Sequence, residues 1–183
     1  MAINRAERQY LKKSILEFAS VYNSKPACIF ISHKSSDLDA AKKVGNYIMD
    51  YANIDIYLDC NDGGLQDAVK REDDRKIVEC IEEGLKKSTH LLCLVSDKTY
   101  TSWWVPYEIG VAKSNSKNIA SLKLKNVDDV PSFLKIENVL MGTKSLNEYL
   151  ESIERVYKLT ESVNILSNSA KNHPLDNYLD WQK

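Results

Sequence analysis

The sequence predicts a doubly wound α/β domain, in which a parallel sheet of about five strands carries helices on both faces. Short, continuously apolar runs at residues 27–32 and 90–95 are typical of strands that are buried on both faces. Segments with apolar residues at helical spacing alternate with these runs along the chain. Right-handed crossovers bring each new strand into the same sheet with the same direction, so this alternation favours a parallel sheet.

The predicted elements define one domain with helical extensions at both ends. An amphipathic N-terminal helix is expected within residues 1–25, at residues 4–22, and the main domain at residues 26–160. Residues 161–183 form the predicted C-terminal extension. Within the domain, strands are predicted at residues 27–32, 54–58, 90–95, 119–124 and 138–141, and helices at residues 37–52, 73–87, 104–113 and 146–159.

Local residue patterns refine these boundaries. Ser36 and Asp39 have the spacing of a capping box at the start of the first helix of the domain. Gly63 and Gly64 predict a turn, because glycine tolerates positive φ, and a long loop is expected after them. Pro106 is compatible with a helix only in its first turn.

Composition excludes several classes of partner and site. The formal net charge is -1 and the basic residues are dispersed, so no nucleic-acid or membrane-surface partner is indicated. The N-terminus lacks an apolar signal core, and no stretch approaches the about 18 apolar residues of a membrane span, so a cytoplasmic protein is expected. The cysteines have no CxxC spacing, which favours reduced structural thiols and predicts no metal site. They are Cys28, Cys60, Cys80 and Cys93.

Ligands of a doubly wound sheet bind beyond the carboxyl ends of the strands, which directs attention to residues 32–36, 59–71 and 96–104. The first of these loops contains no glycine, so it is neither a dinucleotide fingerprint nor a P-loop. A phosphate-receiving signalling domain would need paired acidic residues there, and Ser32, His33 and Lys34 stand in their place. Dehydrogenases, nucleotide triphosphatases and phospho-receivers are therefore disfavoured.

Trp104 and Glu108 place an aromatic and an acidic side chain on one predicted helix. They are four residues apart on a predicted helix, so an aromatic ring and a carboxylate project from the same face. A structural interpretation also exists, because a glutamate in the first turn after Pro106 is stabilised by the helix dipole. Trp103 cannot share a face with Trp104, so one of the two is expected in the core and the other in a cleft or interface.

Other polar residues are interpreted as structural or solvated when taken alone. His33 is expected to be solvated, and His90 and His173 structural or exposed. The acidic cluster fits no calcium-loop spacing, and a solvated loop is expected there. That cluster consists of Asp59, Asp62 and Asp67.

Four motifs, in this order along residues 27–159, resemble those of Toll/interleukin receptor (TIR) domains. They are Phe30-Ile31-Ser32-His33, Asp59 before a glycine-bearing loop, the apolar run at residues 91–96, and the segment SWWVPYE at residues 102–108. The resemblance implies a flavodoxin-like fold. It also implies that Glu108 is the catalytic residue of an NAD nucleosidase. Substrate contacts are implied for Phe30, Ser32, His33, Lys34, Asp62 and Trp104.

The implied reaction is cleavage of the bond between nicotinamide and ribose, with NAD+ as substrate and no other cofactor. The leaving nicotinamide is neutral and needs no general acid, whereas the oxocarbenium-like ribose is stabilised by a nearby carboxylate. The chain is also similar to standalone bacterial TIR proteins of antiviral defence, the Thoeris type. That similarity implies self-association, and a linear or cyclic ADP-ribose-derived signal that diffuses to a separate effector.

Two alternatives remain open at this stage. A non-enzymatic TIR adaptor would act by homotypic assembly through the Gly63-Gly64 loop and the neighbouring helices. An enzyme similar to nucleoside deoxyribosyltransferases would also use a glutamate, but it would release free base from deoxynucleosides and leave NAD+ intact.

Overall fold

A five-stranded parallel sheet forms the centre of the protein, as predicted. The computed structural model describes residues 2–7, 26–59, 63–157 and 173–181. The strands follow the order β2-β1-β3-β4-β5 and all neighbouring pairs are parallel. Each observed strand lies within one residue of its predicted bounds. They are β1 Cys28–Ser32, β2 Asp55–Tyr57, β3 His90–Val95, β4 Asn118–Lys123 and β5 Asn138–Leu140.

Helices cover both faces of this sheet. Among the described residues they are α1 Leu38–Tyr51, α2 Gly63–Lys70, α3 Asp74–Lys86, α4 Trp104–Ser114 and α5 Thr143–Tyr157. Right-handed crossovers place α1 opposite α3 and α4, because β2 and β3 flank β1 on different sides. Helix α5 shares the face of α1, where the Tyr47 hydroxyl donates to Asn147 Oδ1 at 2.8 Å. On the other face, the Tyr107 hydroxyl of α4 donates to Glu82 Oε1 of α3 at 3.1 Å.

The predicted turn and long loop after Gly63 and Gly64 are wrong. Both glycines belong to α2, and no glycine among the described residues has positive φ. Leu65 and Ala68, three residues apart, are buried on one side of this helix, which packs against α3. The helix forms because it buries this apolar pair against its neighbour. The two glycines at its start favour a turn in the sequence pattern, which is why the helix was not predicted.

The predicted capping box at Ser36 is also wrong. Residues Ser35–Asp37 form a 3₁₀ turn, and no side chain caps α1. The Ser36 hydroxyl instead donates to Asp37 Oδ1 at 3.5 Å. Asp37 Oδ2 accepts a 2.6 Å hydrogen bond from the Ser96 hydroxyl, so this turn is joined to the loop that follows β3.

The predicted N-terminal helix does not begin at Asn4. Asn4 forms a parallel bridge with Ile56 beside β2, and the Asn4 side chain accepts a hydrogen bond from Leu58 N at 3.1 Å. Arg5 Nε lies 2.9 Å from the buried carboxylate of Asp55. These long-range partners override the local helical pattern, and residues 8–25 of the prediction lie outside the described residues.

The described part of the predicted C-terminal helical extension, residues 173–181, is a series of turns. Leu175 and Leu179 are completely buried. The Tyr178 carbonyl accepts from Lys125 N at 2.7 Å, and the Asp180 carbonyl accepts from Thr143 N at 3.2 Å. These two carbonyl groups accept hydrogen bonds from the main domain, so they are not used for the hydrogen bonds of a regular helix. The domain boundaries at residues 25/26 and 160/161 stay predictions.

Candidate functional site

Two buried side chains form the centre of the candidate site. Ser32 is the last residue of β1, and its hydroxyl donates to Glu108 Oε2 at 2.5 Å. Only 1% of Ser32 and 3% of Glu108 are exposed. Their contact joins the carboxyl end of the sheet to α4, so the structure brings together two of the residues that the sequence singled out.

Glu108 lies in the second turn of its helix. Trp103 is the N-cap and Trp104 the first residue of α4, so Pro106 is third and Glu108 fifth. The first-turn position predicted for Pro106 is confirmed, because its missing N–H is one of those that lack a partner in any helix. The first-turn position predicted for Glu108 is wrong. The interpretation that the helix dipole stabilises this glutamate in the first turn therefore no longer applies.

Burial raises the pKa of Glu108 well above the ordinary value for a glutamate, and the negative charge of Asp59 raises it further. The hydrogen bond from Ser32 acts in the opposite direction. Cys93 of β3 pairs with Ser32 across the sheet, and burial together with the charge of Glu108 raises the pKa of its thiol. These surroundings favour the protonated form of Glu108 more strongly than those of an exposed glutamate do.

Asp59 and His33 form the rim next to this carboxyl group. Asp59 Oδ1 lies 3.9 Å from His33 Nδ1, and 23% of the Asp59 side chain is exposed. The His33 ring is almost completely covered, and Nδ1 lies 3.3 Å from the Ile31 carbonyl. The expectation that both residues are solvated is wrong, because folding brings the ends of β1 and β2 together here. The electrostatic coupling of Asp59 to Glu108 indicates a role for Asp59 at the site, where the sequence had indicated this residue only as part of a motif.

Lys34 connects the loop after β1 to the segment after β3. Its ammonium group donates to the hydroxyl of Thr101, which ends the 3₁₀ turn Thr99–Thr101. Lys34 keeps further N–H donors, because an ammonium group has three. The substrate contact of Lys34 stays a prediction, whereas its contact with Thr101 arises only from the folded arrangement of the two loops and has no signal in the sequence.

Trp104 presents a partly open aromatic ring one helical turn before Glu108. The ring is 38% exposed and meets the Tyr107 ring edge-on, with centroids 6.2 Å apart. The hydroxyl of Tyr107 is held by Glu82. Tyr107 thus supports Trp104, a role that was not predicted, although its i+3 spacing from Trp104 is a sequence signal that could have indicated it.

Trp103 is 92% exposed, so the prediction that one of the two tryptophans lies in the core is wrong. The buried stripe of α4 passes through Val105, Ile109 and Ala112. Trp103 precedes the helix and is not in register with this stripe, while Trp104 lies at its margin.

Phe30 is not brought to the surface of the site. Phe30 is completely buried and stacks on Tyr57, with ring centroids 5.6 Å apart and an interplanar angle of 8°. Phe30 therefore has a core position in this structure, and its substrate contact stays a prediction. Asp62 lies outside the described residues.

Histidines and cysteines away from the site have structural surroundings. His90 is buried against Tyr149 and Tyr157, and burial lowers its pKa to about 4. His173 is buried against Tyr47 and burial also lowers its pKa. The described cysteines, Cys28, Cys80 and Cys93, are buried, which is consistent with a structural role. Within residues 2–7, 26–59, 63–157 and 173–181, no helix is long and apolar enough to cross a membrane.

Comparison with known proteins agrees with this architecture. The fold is similar to the crystal structure of the TIR domain of the Toll-related receptor TRR-2 from Hydra magnipapillata. The TM-score is 0.52 at 13% identity, over 71% of this chain and 97% of that chain, which defines a TIR-type fold. No curated protein sequence matches the chain.

The family follows from the sequence itself. Residues 30–129, more than half of the chain, match the model of the TIR-like domain of the Thoeris protein ThsB. The chain belongs to this family of TIR-like domains from the Thoeris antiviral defence system. The matched segment contains the last three residues of β1 and all of β3 and α4, and with them Ser32 and Glu108.

Proposed function

We propose that the protein cleaves the bond between nicotinamide and ribose in NAD+, with Glu108 as the catalytic carboxylate. The observation that supports this most strongly is the buried Ser32–Glu108 pair one helical turn from the half-open ring of Trp104. An acidic group and an aromatic platform at the carboxyl edge of a parallel sheet suit a substrate that combines a ribose with a flat, cationic ring.

The chemistry requires a negative charge near the ribose but no proton donor. Breakage of the C–N bond leaves its electron pair on nicotinamide, which departs as a neutral molecule. Positive charge then develops on the ribose ring, and ionised Glu108 stabilises it in a site with little water. Trp104 provides a face on which nicotinamide stacks, and Tyr107 holds that face in position.

Substrate charge and the protonation of Glu108 are coupled in this proposal. In the free protein, burial disfavours the ionised carboxylate. The positive charge of the nicotinamide ring favours ionisation of the same group. Binding of NAD+ therefore promotes release of the proton from Glu108, and Ser32 holds the carboxylate that results in one orientation.

Membership of the Thoeris family supports a role in which the ADP-ribose-derived product acts as a signal for a separate effector. TIR domains commonly self-associate. We propose that this chain also self-associates when it is active, so that activity per molecule rises with protein concentration.

The test is chromatography of NAD+ after incubation with concentrated wild-type protein, Glu108→Gln and Glu148→Gln. Glu148 is an exposed glutamate on α5, away from Glu108, and serves as the matched control. Wild type and Glu148→Gln should release nicotinamide and a product peak that identifies the fate of ADP-ribose. Glu108→Gln should release neither.

Two results would contradict the proposal. Intact NAD+ with the wild-type protein at every concentration, including after addition of lysate from phage-infected cells, would favour a non-enzymatic TIR adaptor. Release of free base from deoxynucleosides without loss of NAD+ would favour a deoxyribosyltransferase.

A further inference from the structure

We propose that Trp103 and Tyr100, on either side of the Lys34–Thr101 contact, form a subsite for the nucleotide end of the substrate, the diphosphate and base distant from Glu108. This inference rests on the proposed function, because it assigns the second half of a dinucleotide whose first half reacts at Glu108. It adds two residues for which the TIR resemblance implies no substrate contact.

The first supporting observation is that the Lys34 ammonium group contacts Thr101, which lies between Tyr100 and Trp103 in the sequence. Lys34 donates to the Thr101 hydroxyl, and Thr101 follows Tyr100 directly and precedes Trp103 by two residues. The Thr101 hydroxyl in turn donates to the Lys98 carbonyl at 2.7 Å, which fixes its direction. Lys34 is thus anchored by one contact and retains donors that suit a diphosphate.

The second observation is the exposure of the aromatic rings. Trp103 is 92% exposed and Tyr100 is 79% exposed, so neither ring contributes its area to the core. Trp104, the next residue after Trp103, is only 38% exposed and is packed against Tyr107. Trp103 and Tyr100 are therefore open to a ligand, and both lie within two residues of Thr101, the partner of Lys34.

These features match the chemistry of a nucleotide. Stacking of one base on an aromatic side chain contributes about 1–3 kcal/mol, and it tolerates different bases because each has a π face. A single cation next to such a ring binds the phosphate that accompanies the base. The arrangement places nicotinamide and its ribose at Trp104 and Glu108, and the diphosphate at Lys34. The second base then lies on Trp103 or Tyr100.

The experiment measures ADP binding by isothermal titration calorimetry, together with the kinetics of NAD+ and nicotinamide mononucleotide cleavage. The variants are Trp103→Ala, Tyr100→Ala and, as a matched control, Phe133→Ala, an aromatic residue that is 42% exposed outside the loops of the site. Trp103→Ala should weaken ADP binding about 10-fold, since a tenfold change corresponds to 1.4 kcal/mol. It should raise KM for NAD+ by a similar factor and leave cleavage of nicotinamide mononucleotide unchanged. Phe133→Ala should change none of these values.

The outcomes separate this subsite from the proposed reaction. ADP binding that depends on Trp103 in a protein that never cleaves NAD+ would support the subsite and contradict the proposed function. NAD+ cleavage with equal ADP binding by wild type and both aromatic variants would overturn the subsite alone. Loss of self-association in Trp103→Ala, with ADP binding unchanged, would also overturn it and assign the ring to contacts between copies of the chain.

Discussion

The hydroxyl of Ser32 donates to Oε2 of Glu108 across 2.5 Å, and both side chains are almost completely buried. This contact changes the role expected for Ser32. A hydroxyl that is directed at the carboxylate positions the catalytic group, whereas the sequence suggested that it would contact the substrate. The direct contact with substrate stays a prediction.

Removal of this hydroxyl by Ser32→Ala should lower kcat/KM for NAD+ by about 10- to 100-fold, because a hydrogen bond to a charged group contributes about 1.5–3 kcal/mol. The same change should shift the acid limb of the pH–activity profile to higher pH, since Ser32 lowers the pKa of Glu108. Ser121→Ala is the control, because Ser121 is equally buried in β4 and its hydroxyl has no hydrogen-bond partner. Equal profiles for Ser32→Ala and Ser121→Ala would exclude a positioning role for Ser32.

Replacement of the buried carboxyl by Glu108→Gln should stabilise the fold progressively as pH rises. Below about pH 4.5 the carboxyl group is protonated in the folded and unfolded states alike. Above that value the folded state retains the proton more strongly, so wild-type stability falls as pH increases towards the raised pKa. The difference in Tm between Glu108→Gln and wild type should therefore grow over this window. A difference that stays constant with pH would show that Glu108 ionises normally in the folded protein.

Loss of the ring that supports Trp104 should weaken substrate binding. Tyr107→Ala removes an edge-to-face contact of the kind that contributes about 0.5–1.5 kcal/mol, so KM for NAD+ should rise about 2- to 10-fold. Tyr107→Phe keeps the ring and loses only the hydrogen bond to Glu82, so its KM should lie closer to that of wild type. Steady-state kinetics of both variants test the order. If Tyr107→Phe matched Tyr107→Ala, the anchor to α3 rather than the ring contact would be responsible.

Two helical glycines should respond in opposite directions to alanine. A Cβ atom at Gly84 would lie 2.5 Å from Cε1 of Tyr57, so Gly84→Ala should destabilise the protein by about 1–3 kcal/mol. A Cβ atom at Gly110 would meet nothing within 4 Å, and Gly110→Ala should stabilise α4 by roughly 0.5–1 kcal/mol. Urea unfolding of both variants measures the two values. Similar free energies of unfolding for both variants would contradict the close approach of α3 to β2.

The sequence by itself determined the order and type of most elements, because continuous apolar runs and helical spacing are local signals. It also determined the TIR resemblance. The pairing of Trp104 with Glu108 followed from the sequence too, since residues four positions apart on a helix share a face. The helix start near Pro106 followed from the missing N–H of that residue. These inferences required only neighbours along the chain.

Only the tertiary structure decided what surrounds the candidate carboxylate. The burial of Glu108, its hydrogen bond to Ser32 76 residues away and the influence of Asp59 arise where β1, β2 and α4 meet. The core position of Phe30 and the exposure of Trp103 were decided in the same way, by which side of an element faces the sheet. Burial and charge depend on neighbours distant in the chain, and those neighbours determine whether a glutamate is a helix cap, a core residue or a catalytic group.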